Sequence, residues 1–465
     1  MGLACEGTPP RPAERTEFTF LGRSLTFFLP DIAGLGRDKE RRCLMSRTLP
    51  PRPDFTQLQH QAKDLLHAHQ RKDASACPPL RRLRRFEGAE DDAIFAAPLA
   101  LHEAQYALAM EYGFASWNAM KRYVEKAAGR PSAVRREEDL TYIAGLERLR
   151  FGRWRDCTYG GAVTELLNTI AVPATYEQVM GLSGACYRIC MKPDWCPSAG
   201  MPQCGYDVER PLYRALGFDV YRIGNEGERR QRVVACIDRG IPVLCGEMRG
   251  WPEWGVIAGY ADNGRLFYGR TYADYGGAEP DEVFTESRYF LANKYPGFDV
   301  QFFDRRCEPL PPRDALKQSF EVCIGTLNQE SEQLGYTRGY QAYELWISGL
   351  EDLAGFDVFP AGTNGYHMDC LRDARRCAYI YLEQSLGLLQ DGNRRRLEKV
   401  VTLFKAMYSK LMAVAPYSGT ETSFNGRDED WGMTKREEFA NVLRELCGME
   451  RQVEAEFRAI LAAWD

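Results

Sequence analysis

The chain has 465 residues, room for about two to four domains of ordinary size. Hydrophobic residues make up 45% and aromatics 12%, enough for sizeable cores, which excludes a globally disordered chain. Sixty basic residues stand against 65 acidic ones, a net charge of -5, and this balance leaves no electrostatic footprint for nucleic acid or for an anionic membrane.

No apolar run reaches the roughly 20 residues of a membrane span. FTFLGRSLTFFLP, near the start, is interrupted by Arg23 and flanked by proline-rich sequence, a poor signal peptide. The expectation is a cytoplasmic protein with no membrane or nucleic-acid partner. Fifteen cysteines are spread along the chain, a distribution that suits reduced core thiols better than a disulfide scaffold. The densest group, Cys186, Cys190, Cys196 and Cys204, contains no C-x-x-C pair, so it does not read as a zinc knuckle. P-loop, dinucleotide and H-E-x-x-H signatures are missing, and no cofactor is expected.

Residues 1–50, with TPPRP and LGRDKERR, read as a disordered leader, and Met45 is an alternative start. Residues 51–130 read as a small helical domain. Leu58, Ala62, Leu65 and Leu66 share one helix face, Leu101, Ala104 and Leu108 a second, and Ser116 is placed to cap a third helix after Gly113. Four of the five histidines (His60, His67, His69 and His102) lie here, at spacings that suit solvated helix positions better than a metal site. GRPSAVRREEDL reads as the linker that closes the domain.

Residues 138–308 alternate helical and strand-like stretches. YEQVMGL, ERPLYRALG and QRVVACIDRG are helical, and FDVYRIG and IPVLCGEM are strand-like. In WGVIAGYADNGRLFYGRTY two β-rich runs flank Asp262-Asn263-Gly264, a hairpin signal because Asn-Gly takes positive φ readily. Residues 311–465 are helical and read as a four-helix bundle, with Thr434 and Glu437 as a capping box and Phe439, Val442, Leu446, Met449, Val453, Phe457 and Ile460 as an apolar stripe. The predicted fold class is therefore α+β, flanked on both sides by helical domains.

The stretch most suggestive of chemistry is DCTYGGAVTELL, where Cys157 stands at the start of a helix followed by two glycines. Unpaired N–H groups at a helix N-terminus stabilise a thiolate and lower its pKa, and Gly160 and Gly161 allow close approach. Gly181 to Ala185 imitate a nucleophile elbow but lack its final glycine and its strand-like lead.

The ordered set DCTYGGAVTELL, TYEQVMGLSGACYRI, GYDVERPLYRALGF, RGIPVLCG and WGVIAGYADNGRLFYGRTY resembles papain-like cysteine peptidases of the bacteriocin-processing type. Within them it is most similar to the butirosin-biosynthesis protein H family. The likeness covers most of residues 155–275 and implies a papain-like domain with acyltransferase activity. LQHQAKDLLHAH and EYGFASWNAMKRYVE resemble the helical segment that precedes the repeats of bacterial ankyrin-repeat proteins, which implies an accessory domain.

Carried over by position, the resemblance makes Cys157 the nucleophile. It puts the family's histidine at Glu253 and its orienting acid near Arg270 or Thr271, so two of three triad positions depart from the pattern. Three ways of completing the site are open. Glu253 could serve as base, although a carboxylate near pKa 4 is a poor match for a thiol near 8.5 unless burial raises it, and its charge disfavours the thiolate. His367, the one histidine outside the N-terminal segment, could fold back over the site. Alternatively the chemistry is lost and the cleft binds a polar, partly cationic small molecule or a peptide through Trp195, Tyr206, Asp207, Trp251, Glu253 and Arg270. The expected partners are such a ligand or an acyl carrier, and a scaffold acting through the helical domains is a third class. The oligomeric state is not fixed by the sequence.

Overall fold

The computed structural model describes residues 16–20, 23–27, 54–86, 89–112, 134–149, 155–172, 174–202, 207–246, 253–272, 285–287, 300–328, 335–352, 355–415 and 431–464, with isolated residues between them. Helices and an antiparallel sheet make up an α+β chain. Inside the segment expected to be a disordered leader, Thr16–Phe20 (β1) and Arg23–Phe27 (β2) pair as an antiparallel hairpin, which corrects that expectation for these residues. Their threonines and phenylalanines are strand formers set among proline-rich flanks. The rest of residues 1–50 lies outside the described residues.

Phe55–Gln70 (α1) starts at Asp54, whose carboxylate accepts the Thr56 N–H at 2.7 Å. Leu58, Ala62 and Leu65 are buried, and the buried face continues to Ala68 and His69. His69 is thus a core histidine and not a solvated one: its Nε2 meets the Ile94 carbonyl at 2.8 Å. His60, His67 and His102 are exposed. Cys77–Leu80 (α2), Asp91–Ala96 (α3) and Leu101–Glu111 (α4) complete the region, with Ala104 and Leu108 buried but Leu101 exposed. In the third expected helix, Met120 and Val124 pack with Leu58 and Ala109, whereas Gly113 and Ser116 lie outside the described residues.

The stretch expected as a linker forms part of the sheet. Val134–Glu137 (β3) and Leu140–Ile143 (β4) are a hairpin, and β4 pairs with Trp254–Ala261 (β7) through Thr141–Tyr260 and Tyr142–Gly259. Arg135, Arg136 and Glu137 are solvent-facing, which is why the sequence reads as a polar tether. Gly259 permits the close approach of β4, since a Cβ there would lie 2.9 Å from that of Tyr142. After Cys190–Met191 (β5), Val243–Gly246 (β6) pairs with the first half of β7. Leu266–Arg270 (β8) runs along the opposite edge of β7 from Val256 to Ala261. The expected Asp262–Gly264 turn joins β7 to β8, with φ of 47°, 52° and 83° at its three residues. Thr285–Ser287 (β9) and Val300–Gln301 (β10) extend the sheet beyond β8 and β6. FDVYRIG, expected as a strand, makes only the isolated bridges Phe218–Arg306 and Tyr221–Phe302.

Thr158–Thr169 (α5) packs on β7, and every one of its residues is buried. Its polar side chains are satisfied internally. Thr164 donates to the Gly160 carbonyl at 2.6 Å, Asn168 exchanges bonds with Ala174, and Glu165 accepts the Glu147 N–H at 2.7 Å. Tyr176–Ser183 (α6) begins with a Thr175–Gln178 capping box and stops at Gly184, φ 77°. Glu209–Leu216 (α7) and Glu226–Asp238 (α8) follow as expected from their sequences.

Among the described residues, five helices follow where a four-helix bundle was expected. Residues 314–350 divide into Pro312–Leu327 (α9) and Gly339–Glu351 (α10), because Thr337–Arg338 (β11) pairs with β5 between them. Val358–Ser385 (α11), Asp391–Val414 (α12) and Met433–Ala462 (α13) complete the chain. The N-cap of α13 is Gly432, so Thr434 falls inside the first turn and the expected Thr434–Glu437 capping box does not form. Its buried stripe holds Phe439, Leu446, Val453, Phe457 and Ile460, but Leu443 and Glu450 take the places assigned to Val442 and Met449. A single hydrophobic core runs from Ile143 to Ile460, with no seam near residues 308–311. Through that core α11 lies against α6, where Arg376 pairs with Glu177 at 2.7 Å, while Arg375 pairs with Glu450 on α13 at 2.6 Å and Arg372 pairs with Asp369 within α11 itself.

Candidate functional site

Cys157 is the N-cap of α5, and its Sγ accepts the Gly160 N–H at 3.4 Å. Its own N–H donates to the Tyr176 hydroxyl at 2.9 Å, and Tyr176 passes a 2.6 Å hydrogen bond to Asp373 on α11. Asp373 also accepts the Asp156 N–H at 3.3 Å. The backbone on both sides of the Cα of Asp156 is thus held, since Cys370 donates to the Asp156 carbonyl at 3.6 Å. A rigid helix start is therefore fixed by groups more than 190 residues away in sequence.

The two glycines after Cys157 have steric reasons to be there. A Cβ on Gly160 would sit 2.9 Å from the Met180 sulfur and 3.0 Å from the Tyr176 ring, and one on Gly161 would collide with the Tyr272 hydroxyl. Tyr176 and Tyr272 can therefore close on the cysteine from two sides. Cys157 itself is 2% exposed. The helix-terminus argument predicts a lowered thiol pKa, but burial outweighs it and pushes the thiol up. Arg188 and the Gly160 N–H pull the other way, and Asp373 adds to the rise. The resting group is a neutral thiol.

Glu253 precedes β7 and joins this cluster through Thr158, the residue after Cys157, which hydrogen-bonds its carboxyl. Its Oε2 is shut off from solvent and has no hydrogen-bond partner among the described residues. Burial pushes the carboxyl up to about 7, and the Thr158 bond offsets only part of that. Tyr272 feels the charges of both Cys157 and Glu253, and Tyr366 on α11 feels those of Glu253 and Cys370.

The remaining sequence candidates separate. His367 is 3% exposed in α11, with Nε2 3.4 Å from the Pro197 carbonyl and its ring edge-on to Trp346 at 5.7 Å. Burial drives its pKa down to about 4, so it is a weak base held in the core. Trp195 packs edge-on to Phe356 at 5.4 Å and against Gly349, in the core beside α10 and not around the cysteine. Asp207 is exposed and accepts the Arg210 N–H at 3.1 Å at the start of α7, a local structural task. Arg270 is buried at the end of β8 and donates to the Leu146 carbonyl at 3.3 Å. Tyr206 and Trp251 lie outside the described residues.

Sequence reasoning overlooked Arg188, Tyr176, Asp373, Tyr272 and Tyr366. Arg188 and Tyr176 fall inside stretches that carried the resemblance, but nothing local marks them. Asp373 belongs to HMDCLRDARRC, whose charges occur on every side of the helix. A wholly amphipathic surface helix would not place them so, and that pattern is the available signal of buried ion pairs.

The fold and site together define an α+β protein with a buried cysteine at the start of its central helix. Comparison with known protein families matches none of them, and no curated protein matches the chain. Among the described residues, no helix is long and apolar enough to cross a membrane.

Proposed function

We propose that this protein is a papain-like cysteine acyltransferase or amide hydrolase that acts through Cys157, with Glu253 as its general base. One observation carries the proposal. At the position where the resembled family has histidine, Glu253 keeps a solvent-shielded, unpartnered carboxylate oxygen beside the helix start, and burial sets its carboxyl at about 7. A base is most effective when its pKa lies near the working pH, and the mismatch that counts against an ordinary carboxylate is thereby reduced.

In the first step Glu253 takes the thiol proton as the sulfur attacks an acyl carbonyl carbon, and the C=O pair moves onto oxygen. First-turn N–H groups of α5 are the donors for that oxyanion. Collapse of the adduct expels the leaving group, which recovers the proton from Glu253, and leaves a thioester on Cys157. An amine or water then attacks the thioester carbonyl, gives its proton to Glu253, and releases Cys157 as the thiol when that proton returns to sulfur. Amine attack is acyl transfer, and water attack is hydrolysis.

The 2% exposure of Cys157 supports a second reading, a papain-like domain that binds a small molecule or peptide without covalent chemistry. One experiment separates the two. The protein is incubated with short-chain acyl thioesters of N-acetylcysteamine, and the Cys157 peptide is weighed by mass spectrometry. A hydroxylamine-labile acyl mass on that peptide, chased by added amine, is expected. An unmodified Cys157 across the acyl series, with the protein folded, would favour the binding reading.

A further inference from the structure

Taking a proton from Cys157 creates a buried anion beside a carboxylic acid, and a histidinium would have balanced it. Glu253 cannot, because its protonated form is neutral. A buried anion without compensation is costly, so the charge must be met from elsewhere. The groups whose charges bear on Cys157 come from several elements. They are Arg188 after α6, Asp373 on α11, Tyr159 on α5, Tyr176 on α6 and Tyr272 after β8. Arg188 is the cation among them.

Arg188 is 4% exposed and is held from both ends by α11. Arg375 donates to its carbonyl at 3.0 Å, and its own Nη2 donates to the Cys370 carbonyl at 3.1 Å. Cys370 in turn bonds the carbonyl of Asp156, one residue before the nucleophile. Nη1 is buried with no hydrogen-bond partner among the described residues. Burial and the charges of Asp373 and Asp369 push the carboxyl of Asp156 well up, against the pull of Arg372. Asp373 is already engaged by Tyr176 and by the Asp156 N–H. The guanidinium thus keeps a spare donor among the described residues and bears on the sulfur, with the charge of Asp373 also acting on it.

We infer that Arg188 is the counter-ion of the Cys157 thiolate, so that the two tasks of a catalytic histidine are divided between a carboxyl base and a buried arginine. This rests on the reading of Cys157 as a nucleophile, but it can be tested without a substrate. A guanidinium keeps its proton at every working pH, so the division also predicts that activity depends on one titrating base and not on a thiolate–imidazolium pair.

The test is the pH profile of iodoacetamide alkylation at Cys157 in the full chain, read by peptide mass spectrometry, with the other cysteines as internal references. In Arg188→Met the inflection should move up by about one pH unit or more, with about tenfold slower alkylation at pH 8. Arg188→Lys, which keeps the charge, should stay within about threefold of the parent. Arg188→Gln retains a donor for the Cys370 carbonyl and replaces the Met variant if that one does not fold. A folded neutral variant with the parent profile overturns the inference. A shifted profile in a protein that forms no thioester leaves Arg188 as the counter-ion and removes only the acyl-transfer proposal.

Discussion

Two cysteine neighbourhoods in this protein are largely buried and chemically different, although Cys204 in one of them is only partly covered. Around Tyr336, Cys196 and Cys204 share one phenolic hydroxyl, with Cys196 3.6 Å from it, and Cys190 lies close by. Burial pushes Cys204 up to about 12, with the Tyr336 hydrogen bond opposing it. Around Cys157, burial also raises the thiol, but it caps an α-helix start, the Arg188 cation bears on it, and a carboxyl at about 7 reaches its neighbour Thr158. The difference teaches that neither burial nor cysteine density marks a reactive thiol. What distinguishes Cys157 is the set of groups able to take its proton and stabilise its anion. The denser group has a shared hydroxyl and the charges of Lys192 and Arg338 around it.

The sharpest way to break the comparison is to exchange the cysteines. Cys157→Ala should abolish thioester formation, a loss of about 10³-fold or more, while Cys204→Ala stays within about twofold of the parent. Equal losses in both would erase the distinction. Next in size, Glu253→Gln should slow thioester formation by about 10²-fold or more while leaving Cys157 in place.

The same variant has a stability signature with a definite sign. Glu253 is raised in the folded state, so its contribution is complete below pH 4.5 and is lost as pH rises through about 7. Glu253→Gln should therefore raise Tm at pH 8 and leave it nearly unchanged at pH 4.5. His367 works the other way, since its folded pKa is lowered. Its contribution is complete above about 6.5 and is lost as pH falls towards 4, on the order of 3 kcal/mol at most. Chemical denaturation of His367→Gln across pH 4 to 8 should show a flatter acid limb than the parent, and an unchanged slope would place the acid sensitivity elsewhere.

Smaller effects separate the neighbourhoods further. Tyr336→Phe removes a bond that lowers Cys204, so Cys204 alkylation should slow several-fold while Cys157 is unaffected. Asp207→Ala removes the acceptor at the start of α7 and should cost about 1 kcal/mol in urea denaturation, with thioester formation unaltered. A rate loss in that variant would restore Asp207 to the binding site.

The parts of the fold legible in the sequence were those set by local chemistry. The Asn-Gly turn and the helices at DCTYGGAVTELL and ERPLYRALG each follow from a few adjacent residues. The β3–β4 hairpin was hidden because its partner strand is more than 110 residues away and its outer face is charged. The site divides along the same line. Cys157 and Glu253 were visible because a motif and a positional count point to them. Arg188, Tyr176 and Asp373 meet only through the packing of α11 on α6, which periodicity does not encode. The proposed division of the histidine's tasks between two groups rests on the burial of Glu253 and the unspent donor of Arg188, neither of which the sequence displays.

The most direct test of the account is the pH dependence of single-turnover thioester formation at Cys157, compared between the parent and Glu253→Gln from pH 5 to 9. A parent rate that rises with a midpoint near 7, and a much slower Glu253→Gln rate with that inflection gone, is the predicted result. The same inflection and the same rate in both proteins would show that another group takes the proton, and Glu253 would lose its role as the base.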